Sequence, residues 1–137
     1  WKEKSLANPT SAPSVMVAGP LLDGSPNVYD GSDLSHPPLS VGLKTVDDVK
    51  NKINELDSLE VDFLKAYEML TPEQFKEVTK LAKEKGLKVT GHVPLSMDVI
   101  GASNAGLNSM EHFRNLELSC ASNSDELLLQ RQRIYSY

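Results

Sequence analysis

Apolar positions recur along the chain in two rhythms that alternate. Ser14-Val-Met-Val-Ala-Gly19 is a short β-branched run closed by Gly19-Pro20, which reads as a first strand. Val46, Val49, Ile53 and Leu56 then fall at helical spacing behind Thr45, whose hydroxyl and the acid Asp48 three residues on form a helix-start signature. From Val61 to Tyr67 the rhythm changes to period two, so that Val61, Phe63, Lys65 and Tyr67 share one face and Leu64 and Ala66 the other. Thr71-Pro-Glu-Gln74 opens a second helix with hydroxyl cap, proline and glutamine in their expected places. Phe75, Val78, Leu81 and Ala82 form its apolar stripe and Gly86 its stop. A third strand spans residues 87–93, a helix runs from about Ser96 to Ala105 and ends at Gly106, and a fourth strand spans 108–113. The last helical pattern runs from Ser124 to about Ser136.

Strands that alternate with amphipathic helices predict an α/β architecture with a parallel sheet. About four strands correspond to half of a (β/α)8 TIM barrel, so the expectation is a partial barrel, a fragment of a larger one, forming a single domain over residues 1–137. A doubly wound nucleotide fold is disfavoured because Ala18-Gly-Pro-Leu21 is not a Gly-rich phosphate turn. The chain starts at Trp1, and residues 1–8 read like the tail of a helix, which fits an internal piece and leaves localisation open.

Residues 20–44 interrupt the rhythm with Gly, Pro, Asp, Ser and Asn. Their composition fits a lid or substrate loop and a disordered segment equally well, and His36 within them reads as a solvated loop histidine.

The remaining composition mainly excludes. With 14 Lys and Arg against 19 Asp and Glu, the net charge of −5 argues against a nucleic-acid surface. No apolar run approaches the ~20 residues of a membrane span. One cysteine, Cys120, permits no disulfide within the chain and reads as a small, partly buried thiol.

Three polar residues stand near the predicted strand ends: Lys65, His92 and His112, at spacings of 27 and 20 residues. One β-α unit takes about 30 residues, so a parallel sheet brings all three to its C-terminal rim, where such folds place their chemistry. Two neutral imidazoles at adjacent strand ends suit a divalent transition metal; the alternative is that each bonds a backbone carbonyl. A lysine among apolar side chains must be paired, deprotonated or modified, and Glu68 and Glu111 are candidate ion-pair partners.

Phe63-Leu-Lys-Ala-Tyr67, Val89-Thr-Gly-His-Val-Pro94 and Ser109-Met-Glu-His112, in that order with a helix between each, resemble the middle of the amidohydrolase superfamily, in particular its imidazolonepropionase-like and Xaa-Pro dipeptidase-like branch. The similarity covers residues 15–115. It implies a metal-dependent hydrolase of C–N bonds in an amide, cyclic amide or peptide substrate. Lys65 would be carboxylated to a carbamate bridging two divalent metal ions, zinc above all, with His92 and His112 as ligands of the second. Tyr67 would touch the substrate carbonyl or carboxylate, and Arg114 a substrate carboxylate. The family's His-x-His pair and its catalytic aspartate have no counterpart here, so no complete set of catalytic residues is expected and the fragment alone should be inactive. The rival expectations are a non-catalytic half-barrel assembly module with Lys65 in a salt bridge, and an α/β binder of phosphate ligands. A half-barrel also leaves its inner sheet face, expected to carry Val61, Phe63 and Met110, and its edges, expected at residues 15–18 and 108–112, unpaired, which predicts a homo-oligomer.

Overall fold

The computed structural model describes residues 1–135. Its elements run α1 (Lys2–Ala7), β1 (Leu21–Asp23), β2 (Ser40–Gly42), α2 (Val46–Ser58), β3 (Phe63–Ala66), α3 (Pro72–Glu84), β4 (Lys88–Gly91), α4 (Val99–Ala105), β5 (Ser109–Met110), α5 (Leu116–Ser119) and α6 (Ser124–Tyr135). All pairings are parallel, in the order β2-β1-β3-β4-β5. The expected α/β sheet is present, but it has five strands rather than about four. Ser136, the expected end of the last helix, lies outside the described residues.

The extra strand comes from residues 20–44. Leu21, Leu22 and Asp23 pair with Ser40, Val41 and Gly42, so two short strands bracket the Gly- and Pro-rich segment. The expected first strand at residues 14–19 is not assigned to the sheet. Val17 there makes two bonds to Asp62, one accepting from the Asp62 amide at 2.8 Å, and the regular strand begins only after Gly19 and Pro20. The sheet edges are accordingly β2 and β5, not residues 15–18.

Burial alternates along β3 and β4. Leu64, Ala66 and Val89 face the helices and join Val49, Ile53, Phe75, Val78, Ala82 and Ala102 in one core, while Phe63, Lys65 and Thr90 are only half covered. Val61 and Met110, expected on the open face, instead pack into or against this core. The helices start where their caps dictate. Thr45 with Asp48 and Thr71 with Gln74 form reciprocal capping boxes, and Gln74 also reaches across to donate to the Leu43 carbonyl at 2.9 Å. Asp98 caps α4, which therefore starts later than Ser96, and Gly106 ends it at φ +117°. Cys120 is exposed rather than partly buried, because it caps the C-terminal end of the short helix α5. Among the described residues no helix is long and apolar enough to cross a membrane.

Gly91 fixes how closely the central strands approach. It has φ +130°, and a Cβ there would lie 2.1 Å from the Ala66 carbonyl oxygen, so no other residue fits without moving β3.

Candidate functional site

The ladder continues past the formal strand ends and aligns them. The Tyr67 amide donates to Leu22, that of His92 to Ala66 and that of Glu111 to Gly91, at 2.8, 3.1 and 2.8 Å. Lys65, Tyr67, His92, His112 and Arg114 thereby line a single cavity of about 590 Å³ at the C-terminal rim, together with Leu21, Tyr29, His36 and Leu39. All three histidines of the chain face this cavity.

His92 is buried and its orientation is fixed. Its Nδ1 lies 2.9 Å from Glu68 Oε1, and Arg114 Nε forms an ion pair with the same oxygen at 3.0 Å. A carboxylate held by an arginine accepts from an Nδ1–H and so leaves the Nε2 lone pair for a ligand, the usual arrangement behind a metal-binding imidazole. His112 follows the last strand at φ +61°, with Phe113 at +51° and Asn115 at +67°. Three non-glycine residues in the left-handed region so close together are uncommon, and this turn sets the His112 ring edge-on to His92 at 5.4 Å. Asn115 secures the turn by donating to the Val93 carbonyl at 2.9 Å.

Lys65 Nζ lies 2.7 Å from Glu111 Oε2. Burial acts to raise the Glu111 pKa, but the Lys65 hydrogen bond and charge, helped by Thr90 and His112, bring it below the usual carboxylate range. Tyr67 is shifted the opposite way, upward, by burial first and by the neighbouring Tyr29 and Glu68 next, so its hydroxyl stays protonated and able to donate.

These donors meet a divalent metal only in part. Two imidazoles suit such an ion, and Glu68 already orients one of them. An ammonium has no lone pair, so Lys65 joins them only after conversion to a carbamate. Among the described residues no group of three or more His, Cys, Asp or Glu could hold a metal ion.

Asp23 and Tyr29 were not singled out from the sequence, and His36 was expected only as a solvated loop histidine, which its half-exposed ring fits. Asp23, fully buried at the end of β1, accepts from the Gly24, Val28 and Met69 amides at 3.0, 2.8 and 2.7 Å. It ties the segment after β1 to the turn that carries Tyr67 and Glu68. Burial pushes its pKa up against those three bonds. Tyr29 and His36 come from the long segment, and Tyr29 packs on both His36 and Tyr67. The only sequence signal for them was an apolar strand ending in Leu-Leu-Asp-Gly before a segment rich in turns.

No family model matches the chain, and no curated protein sequence matches it. Solved structures do. A bottromycin amidohydrolase superposes with a TM-score of 0.68 at 19% identity, over 96% of this chain and 29% of that one. A crystal structure described as an amidohydrolase gives 0.69 at 16% identity, over 95% and 37%. A Xaa-Pro dipeptidase with methionine bound in its active site gives 0.61 at 15%, over 95% and 36%. The chain shares the fold of the matching part of these proteins and spans about a third of their length.

Proposed function

We propose that this chain carries one part of the active site of a metal-dependent hydrolase that cleaves an amide-type C–N bond in a small amide, cyclic amide or peptide. The observation that supports this most is the meeting of Lys65, Tyr67, His92, His112 and Arg114 in one cavity at the C-terminal ends of parallel strands. In this reading His92 and His112 would hold a divalent ion, zinc by preference, through ring nitrogens, and Lys65, once carboxylated, would supply an anionic oxygen ligand beside them. When bound, such ions activate water and polarise a carbonyl. The chain's own residues do the rest. Glu68 fixes the His92 tautomer, the Tyr67 phenol donates to the substrate carbonyl or carboxylate, and Arg114 at the exposed rim pairs with a substrate carboxylate. The aspartate and the His-x-His pair that such a mechanism also needs are absent from this chain, so the 137 residues alone should turn over slowly.

A second reading, a non-catalytic half-barrel module, is favoured by the Lys65–Glu111 ion pair, which satisfies the lysine with no metal. Metal content and intact mass after incubation with zinc and bicarbonate separate the two. The hydrolase reading expects bound zinc, lost in His92→Ala and His112→Ala, and one added carbon dioxide on Lys65. Absence of zinc together with an unmodified lysine favours the module.

A further inference from the structure

The segment between β1 and β2 adds to this cavity something that the five rim residues do not supply. Its base is anchored. Asp23 accepts from the Val28 amide, Asn27 Nδ2 donates to the Ser40 hydroxyl and carbonyl, and the Tyr29 amide donates to Ser40 Oγ at 3.1 Å. The Leu39 and Ser40 amides in turn donate to the Tyr29 carbonyl, each at 3.2 Å. Tyr29 is therefore held in place, and its ring lies 5.7 Å from Tyr67 and 5.4 Å from His36. Moving outward from His92, the cavity wall is a succession of rings: Tyr67, then Tyr29, then His36.

His36 is oriented by the same device as His92. Its Nδ1 lies 2.9 Å from Asp33 Oδ2, and Asp33 Oδ1 accepts from the Ser35 amide and hydroxyl. Those Ser35 bonds, with the His36 contact, hold the Asp33 pKa down to about 2, so Asp33 is a carboxylate at any physiological pH. A carboxylate that accepts from Nδ1–H leaves Nε2 of a neutral ring as an acceptor. With a neutral ring the Asp33–His36 pair carries one negative charge. An acceptor of negative character in a cavity also lined by Leu21, Leu39 and Tyr29 suits an ammonium or N–H donor attached to an apolar group.

We propose that Tyr29 and His36 form a recognition subsite for the free amino end of a peptide-like ligand, three ring contacts away from the imidazole that would hold metal. The subsite rests on the hydrolase reading for its place in a substrate, and it narrows the substrate class to molecules with an unblocked amine. The test titrates the full 137-residue chain with leucyl-leucine and with its N-acetyl form, following affinity by calorimetry and the His36 ring nitrogens by NMR. The free dipeptide is expected to bind about tenfold more tightly than the acetylated one, the usual scale of one charge-assisted hydrogen bond, and to shift His36 Nε2. His36→Ala and Asp33→Asn, both on exposed turns, should each reduce that ratio to within about twofold. Equal affinities in the unaltered chain, no binding of either peptide, or a preference that survives His36→Ala overturns the subsite. If zinc and carbamate fail to form while the preference holds, the hydrolase reading falls and the subsite stands; zinc uptake without the preference gives the converse.

Discussion

Lys65 and Glu111 meet across an intervening strand: the lysine leaves β3, the glutamate follows β5, and Thr90 of β4 lies between them, its hydroxyl 3.3 Å from Glu111 Oε1. One ion pair thus occupies the open sheet face where the candidate chemistry lies. Glu111 is thus the partner that Lys65 meets, and carboxylation of the lysine would require this pair to open.

The pair should be visible in a pH titration. Because the folded-state pKa of Glu111 is lowered, its stabilising contribution is complete above the ordinary carboxylate value of 4.5 and is lost as pH falls through the lower folded value. In Lys65→Met, burial acts with less opposition, so the Glu111 midpoint measured by carboxyl NMR should move upward. An unchanged midpoint would show that the pair does not persist in solution.

Glu68→Gln should leave the fold intact and weaken metal binding. The amide keeps the volume but removes the charge shared by His92 and Arg114. Loss of an orienting carboxylate behind a metal-binding imidazole costs about 10–100-fold in affinity. Zinc titration of the variant beside the unaltered chain checks this, with circular dichroism confirming the fold.

Gly91→Ala should destabilise the chain by about 1–3 kcal/mol or more, since overpacking is joined by a positive φ that alanine resists. Urea unfolding gives the value. A change below about 0.5 kcal/mol would place the variant among ordinary surface substitutions and contradict the close approach of β4 to Ala66.

We also propose that the chain associates with itself through the open face around Phe63 and Thr90 or through the edges β2 and β5. A closed barrel has no edges, whereas these five strands leave two. Light scattering over a dilution series should report a dimer or larger species, and Phe63→Lys should shift it toward monomer. A monomer at every concentration would contradict the proposal.

Much of this was legible in the sequence because local signals sufficed. Helix starts at Thr45 and Thr71 and stops at Gly86 and Gly106 are set by hydrogen bonds and backbone freedom within a few residues. The period-two and helical rhythms from Val61 to Ala105 left one consistent parallel order. The meeting of Lys65, Tyr67, His92, His112 and Arg114 followed from that order, since residues at the C-terminal ends of neighbouring parallel strands share a rim. Relationships between distant segments were a different matter. Nothing near Glu111 distinguishes it from Glu68 as the partner of Lys65; the choice depends on strand register, which sends Glu111 to the lysine and leaves Glu68 to His92 and Arg114. Residues 14–19 have the composition of a strand, yet the chain enters the sheet only after Gly19 and Pro20, where Leu21 to Asp23 find β2 on one side and β3 on the other. Tyr29 and His36 reach the cavity because a buried carboxylate, Asp23, accepts amides from two loops more than 40 residues apart in sequence. Such long-range bonds leave no periodicity in the chain, so only the tertiary structure could decide them.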